Sequence, residues 1–183
     1  MDERRYHSEP LHNYFREQIH ETLVGKIGLS ECDDLEAYLA ELLTDFARCE
    51  RLFSIRNAQG RPVESIAEML VEGDVRLNAD SFEREREVHR HIGDFLLFWS
   101  GLFPEALKSL RGFTSNAYIE EAIRQGSYSY EIVSSFDHAP YSLEALTFRK
   151  LSAEFPACQY GLKLMRASFE GFRLQGWDDG FQA

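Results

Sequence analysis

A helical repeat of apolar residues runs through almost the whole chain and restricts it to one fold class. In the most regular segment, apolar side chains recur every three or four residues, the spacing that places them on one face of an α-helix. They are Leu35, Tyr38, Leu39, Leu42, Leu43, Phe46, Cys49 and Phe53. No segment alternates apolar and polar residues between turn signals, as a half-buried strand would. We therefore predict an all-α fold.

Interruptions of this repeat divide the chain into about seven helices. Gly28 is expected to end the first helix and Ser30 to begin the second, while Pro62 suits the first turn of a third. The segment Asp80-Ser81-Phe82-Glu83 has the pattern of a capping box and predicts that the fourth helix begins there. Pro104 then ends this helix and begins a short further piece.

The second half of the chain continues the pattern. The segment 115–136 forms either one long helix or two helices that are broken at Gly126. Pro156 ends or kinks the helix that follows Pro140, and the turn-like tail places Trp177 where it packs back on the bundle. Short connections favour antiparallel neighbours, so we predict a single helical domain over residues 1–183.

Length and charge narrow the classes of function. A chain of 183 residues, 44% of them hydrophobic, can bury one substantial core. Its net charge of −11 argues against nucleic acid as the main partner, because that binding depends on clustered Lys and Arg.

Three sequence features bear on the cellular compartment: the N-terminal residues, the length of the apolar runs and the spacing of the cysteines. Residues 1–15 are charged and lack the apolar segment of a secretory signal. The longest apolar run, Phe95 to Trp99, is far shorter than the ~18 residues of a membrane span. Cys32, Cys49 and Cys158 lie far apart without a C-x-x-C motif, which suits reduced thiols. We expect a cytoplasmic protein that does not cross a membrane.

A polar cluster inside an apolar helix is the strongest candidate site. Arg90, His91 and Asp94 lie within one turn of each other, so both cations can reach the carboxylate. Leu97 and Phe98 follow Asp94 on the same helical face and keep water from it. A buried charge needs a partner or a shifted pKa, so this cluster is either a structural network or a small pocket in which Asp94 tunes a titrating His91.

Tyrosines from the next long segment are the expected partners of this carboxylate. Gly93 weakens its helix by ~1 kcal/mol relative to alanine, but a glycine on a packed face lets a second helix approach closely. Such a crossing would bring the hydroxyl of Tyr118, Tyr128 or Tyr130 to Asp94. A hydrogen bond from one of the three is predicted.

The charge run and the Glu-x-x-His pairs could mark a metal or partner site, but an ordinary surface role explains the charge run more simply. The run from Glu83 to His91 has pairs such as Glu83 and Arg86 at helical spacing, which is typical of a solvated helix face. A Glu-x-x-His pair occurs at Glu9 and again at Glu17. Both pairs fall on one helix, so they cannot alone close a di-metal centre, which draws such pairs from two helices. No metal and no cofactor is predicted.

Catalytic motifs are missing from the sequence. It contains no H-E-x-x-H, G-x-S-x-G, G-x-G-x-x-G or P-loop, and these motifs carry recognisable hydrolase and nucleotide chemistry. We therefore lean against an enzyme.

Two resemblances add expectations about neighbouring helices. The segment from Arg90 to Glu105, with the pattern R-H-x-G-D-x-x-L-F-x-x-G-L-F-P-E, resembles an uncharacterised family of bacterial all-helical proteins. This resemblance implies that the Asp94 helix and the tyrosine-bearing helix belong together, and no activity comes with it. Residues 116–140 resemble one tetratricopeptide unit, which implies a turn near Gly126 between two helices.

These observations lead to a functional expectation with alternatives. The leading hypothesis is a non-catalytic cytoplasmic helical protein that acts by protein–protein interaction, as an adaptor or regulator, with a protein partner. The alternative is a small-ligand-binding protein or enzyme with a pocket around His91 and Asp94, and a di-metal or haem protein ranks below it. Homo-oligomerisation is left open.

Overall fold

The computed structural model describes residues 9–47, 55–57, 60–63, 65–74, 77, 79–109 and 117–176. Within these ranges the chain forms eight α-helices and one π-helical turn, Glu21–Ile27. The α-helices are α1 (Glu9–His20), α2 (Asp33–Phe46), α3 (Ile66–Gly73), α4 (Phe82–Leu102), α5 (Pro104–Ser109), α6 (Tyr118–Ser134), α7 (Ser142–Ala153) and α8 (Phe155–Gly176). The predicted all-α fold is confirmed, since the only extended pairing in these ranges is an isolated bridge between Arg56 and Pro62.

Helix α4 occupies the centre of the packing. It contacts α3, α6 and α8, while α6 also packs on α7 and α1 packs on α2. All eight helices contribute side chains to one apolar core cluster. Four α4 residues, Phe95, Leu96, Leu97 and Ile92, are fully buried in it, so a polar side chain on the same turns of this helix that faces the core has little access to water.

The first helix ends where the sequence indicated. Helix α1 continues into the π-helical turn, and Gly28 follows it with φ of 80°. The Gly28 N–H donates to the carbonyls of Leu23 and Val24. Only glycine adopts this left-handed backbone without strain, so the predicted end at Gly28 is confirmed, although the periodicity did not indicate the change to π-helix.

Three helices begin later than predicted. Helix α2 begins at Asp33 rather than at Ser30, and the other two, α4 and α3, are each capped by a serine. Helix α4 is capped by Ser81, whose hydroxyl accepts the Arg84 N–H at 3.1 Å, so the predicted capping box over residues 80–83 is not formed. Helix α3 begins only after Ser65, which caps it by accepting the Glu68 N–H at 3.2 Å. Pro62 lies before that cap, in the bridge with Arg56. In both cases a serine satisfies the first orphan amides.

The helix boundaries near Gly126, Pro104 and Pro156 decide between the alternatives that the sequence left open. Helix α6 runs unbroken through Gly126, so the segment is one helix and the turn implied by the tetratricopeptide resemblance is wrong. Pro104 begins α5 directly after α4, and α7 ends before Pro156, as predicted. Expectations for Cys49, Phe53 and Trp177 fall outside the described residues. No described helix combines the length and the apolar character needed to cross a membrane.

Candidate functional site

The candidate site is built on one turn of helix α4. Arg90 and Asp94 lie one turn apart on this helix and face the junction with α2 and α6. The Asp94 side chain is only 14% exposed and that of Arg90 is 38% exposed. As the sequence predicted, the carboxyl group of Asp94 is largely removed from water.

A single carboxylate oxygen joins three helices. Tyr38 of α2 donates its hydroxyl to Asp94 Oδ1 at 2.6 Å, and Tyr130 of α6 donates to the same atom at 2.8 Å. Arg90 Nε donates to the Tyr38 hydroxyl at 3.2 Å and lies 3.9 Å from Asp94 Oδ2. These four side chains, which we call the Asp94 cluster, form a closed network of charge-assisted bonds.

Burial controls the protonation of this cluster. Burial raises the pKa of Asp94 from 3.8 to about 6, although Arg90 and the two phenols act to lower it. Burial and the nearby carboxylate raise the pKa of Tyr38 and of Tyr130 well above the ordinary value. Both phenols therefore keep their protons and remain donors.

Aromatic rings enclose the Asp94 cluster. The ring of Phe148, on α7, lies 5.2 Å from that of Tyr38 and 5.5 Å from that of Tyr130. The Arg90 guanidinium carbon is 5.7 Å from the centre of the Phe148 ring, within the range of a cation–π interaction. Phe148 is 1% exposed, so this ring shields the polar groups from solvent.

Gly93 lets α6 approach close enough for the Tyr130 hydrogen bond. A Cβ atom added at Gly93 would lie 2.6 Å from Tyr130 Cδ1 and 2.9 Å from Tyr130 Cζ, well inside van der Waals contact. Any larger residue at position 93 would push the tyrosine ring away. The close helix crossing inferred from the glycine is therefore present at this point.

The recess beside Asp94 is too small for an organic ligand. It has a volume of about 30 Å³ and is lined by Tyr38, Glu41, Leu42, Asp45, Phe46, Arg90 and Asp94. This is room for about one water molecule, whereas ligand pockets usually measure roughly 300–1,000 Å³.

The structure brings together only some of the predicted site residues. Arg90, Asp94 and Tyr130 meet, whereas the ring of His91 packs between those of Phe46 and Phe95, 6.1 Å from each. Tyr118 packs against the apolar core, and Tyr128 is 54% exposed. Tyr38 was not among the predicted partners, because its place in the apolar repeat of α2 marked it as a core residue.

The charge run of α4 is more deeply buried than its pattern suggested. Arg86 is 7% exposed. Its Nη2 atom pairs with Glu144 Oε2 of α7 at 2.5 Å, and its Cζ atom lies 4.0 Å from the centre of the Tyr141 ring. The predicted solvated face is thus wrong at Arg86, which binds across to α7 rather than along its own helix. Arg84 and Glu87 form an exposed pair at 2.9 Å, as such a run usually does.

A serine and a histidine also meet in the core. His89 Nδ1 lies 3.4 Å from Ser129 Oγ, and burial lowers the pKa of His89. Ser129 is 0% exposed, so no substrate carbonyl can approach its hydroxyl. The pair is a buried polar contact between α4 and α6 rather than a nucleophile and its base.

A second polar network links the start of α2 to the end of α1. Glu36 Oε1 accepts from the Cys32 thiol at 3.2 Å and lies 2.9 Å from His20 Nδ1. Burial and the Glu36 carboxylate raise the pKa of Cys32 to about 11, so this sulfur stays a thiol and is a poor nucleophile. Throughout the described ranges, no three His, Cys, Asp or Glu side chains are arranged to hold a metal ion.

Comparison with known proteins adds no assignment to this geometry. No protein-family model, curated protein or solved structure matches the chain. The resemblance of the Arg90 to Glu105 segment to a bacterial helical family stays a prediction.

Proposed function

We propose that this protein is non-catalytic and acts by binding another protein through the outward face of α7. The observation that carries the proposal is a pair of exposed leucines on this helix, Leu143 at 82% and Leu146 at 55%. They are three residues apart and therefore neighbours on one face. Single exposed leucines are common, but adjacent ones on a helix favour a contact surface.

The opposite face of the same helix explains why these leucines are not needed for folding. Ala145, Phe148 and Leu151 are each at most 2% exposed and anchor α7 in the core. The helix therefore carries apolar residues on both sides, and the two exposed leucines share its outward side with charged residues such as Arg149, whereas a surface helix of a monomer is normally polar outward. We call the outward side, with Leu143, Leu146 and Arg149, the α7 face.

The Asp94 cluster supports the same proposal because it offers little space for a ligand. Its donors and acceptors are used to join helices, and its recess holds about one water molecule. The alternative of a ligand pocket around His91 and Asp94 would need a larger void than the recess of about 30 Å³ beside Asp94. The ring of His91 packs against Phe46 and Phe95 and is not among the side chains that line this recess.

Replacing both leucines of the α7 face should weaken partner binding while leaving the fold intact. The double variant Leu143→Gln/Leu146→Gln removes exposed apolar area, so the free energy of unfolding should change by less than about 0.5 kcal/mol per site. Tagged wild-type protein and variant are compared as baits in a lysate of the native host, with retained proteins quantified by mass spectrometry. A protein held by the wild type should be reduced at least about tenfold by the variant, equivalent to ~1.4 kcal/mol of binding.

Leu11→Gln is the matched control, because Leu11 is also apolar and 38% exposed but lies on α1. It should retain the partner. A partner held equally by wild type, control and double variant would contradict the α7 face, and a wild type that retains nothing would contradict protein binding itself.

A further inference from the structure

The carboxyl group of Asp94 is buried but not sealed. The recess of about 30 Å³ between α2 and α4 reaches Asp94, whose side chain keeps 14% of its exposure. That space admits about one water molecule. A proton can therefore pass between solvent and this carboxyl group without opening the fold.

The two oxygens of Asp94 have different surroundings. Both phenol hydrogen bonds converge on Oδ1, at 2.6 Å from Tyr38 and 2.8 Å from Tyr130. Oδ2 faces Arg90 Nε at 3.9 Å, which is beyond hydrogen-bonding distance. A proton on Oδ2 would leave both phenol bonds in place, so the protonated form fits the same geometry.

We propose that Asp94 is a proton-binding site, and that taking up one proton there strengthens the joint between α2, α4 and α6. This inference concerns the fold's response to acidity and is independent of the proposed partner. The proton removes a charge from an apolar setting while both tyrosines still reach Oδ1. Loss of the proton restores the attraction to Arg90 but leaves a charge away from water.

Titratable or charged groups on the helices around Asp94 influence which member of the cluster gains or loses a proton. The titratable or charged groups that face the site or act on its members are Tyr38, Glu41 and Asp45 of α2, Arg90 of α4, Tyr130 of α6, Glu144 of α7 and Cys158 of α8. Burial would lower the pKa of Arg90, but Tyr38 and Asp94 outweigh it and the pKa is raised. Arg90 and the phenols therefore keep their protons, and Asp94 is the member of the cluster that titrates.

The direction of the pH effect on stability follows from the linkage between proton binding and folding. Burial raises the pKa of Asp94 from 3.8 to about 6 in the folded chain, while the unfolded chain keeps an ordinary carboxyl. The folded state then binds the proton more tightly, so the contribution of Asp94 to stability grows as pH falls from about 7 to about 4. Above pH ~7 this contribution is constant, because both states are ionised.

The test uses the full chain, labelled with ¹³C at aspartate carboxyl carbons, with Asp94 assigned by its absence from Asp94→Asn. The Asp94 resonance should titrate with a midpoint near 6. Between pH 7.5 and pH 5, the equilibrium constant of unfolding should fall about tenfold more in the wild type than in Asp94→Asn. A midpoint near 4, or the same pH dependence in both proteins, would overturn the proposal.

Arg90→Gln gives a second, independent readout. The guanidinium lowers the pKa of Asp94, so its removal should move the Asp94 midpoint upward by roughly half a unit or more. This result can be obtained even if Asp94→Asn does not fold, since the aspartate stays in place and its resonance is then assigned by through-bond experiments. A midpoint that stays fixed or moves downward would also overturn the proposal.

Discussion

Gly93→Ala should destabilise the protein by about 2–4 kcal/mol, although alanine is normally the better helix former. The added methyl group would lie 2.6 Å from Tyr130 Cδ1, and the ring is fully buried and cannot swing aside. Helix α6 would have to move outward, which lengthens the Tyr130 hydrogen bond to Asp94. Denaturant titration monitored by circular dichroism measures the change in unfolding free energy.

Gly25→Ala is the control for this substitution. A Cβ atom at Gly25 would meet only Glu21 Cγ, at 4.0 Å. The exchange should therefore be neutral or stabilise the chain by up to about 1 kcal/mol. If Gly93→Ala behaved like Gly25→Ala, the close crossing of α4 and α6 would be refuted.

Phe148→Ala is expected to have the largest single effect, about 3–5 kcal/mol of lost stability. The ring is 1% exposed and contacts Tyr38, Tyr130 and Arg90. Its removal leaves a cavity over the Asp94 cluster and lets water approach. The pKa of Asp94 should then fall from about 6 toward its ordinary value of 3.8, because burial is the cause of its rise.

Equilibrium unfolding and carboxyl NMR titration measure the two effects separately. Leu143→Ala, on the same helix but 82% exposed, should change stability by less than about 0.5 kcal/mol and leave the titration unaltered. A Phe148→Ala protein that lost stability but kept the Asp94 midpoint would show that the ring packs without shielding the carboxyl.

The helices and the buried carboxylate could be predicted because their signals are local. The spacing of apolar residues in α2 and α4 is a property of neighbouring positions, and Leu97 and Phe98 already implied that Asp94 is covered. The serine cap of α4 could not be chosen, for an equally local reason. Asp80 and Ser81 both suit an N-cap, and only the backbone of the folded chain decides which one accepts the amide.

The partners of Asp94 could not be chosen from the sequence, because they depend on how helices align. Tyr128 and Tyr130 are two residues apart and point to different sides of α6, so the rotation of that helix selects Tyr130. This rotation is fixed by contacts between distant segments, among them Tyr130 on Gly93 and Phe155 on Gly126. Tyr38 lies 56 residues from Asp94 in sequence and carries no local sign of a polar role.

One oxygen of Asp94 joins α2, α4 and α6, and a double-mutant cycle measures how strongly it holds them together. Tyr38→Phe and Tyr130→Phe each remove one hydroxyl, and each should cost about 1.5–3 kcal/mol in unfolding free energy at neutral pH. Tyr128→Phe, at a tyrosine that is 54% exposed, should cost almost nothing.

Unfolding free energies of wild type, the two single variants and the Tyr38→Phe/Tyr130→Phe double variant complete the cycle. Because both hydroxyls bind the same oxygen, the two effects should depart from additivity by more than about 0.5 kcal/mol. Single variants as silent as Tyr128→Phe, or effects that add within about 0.3 kcal/mol, would show that this oxygen does not hold the three helices together.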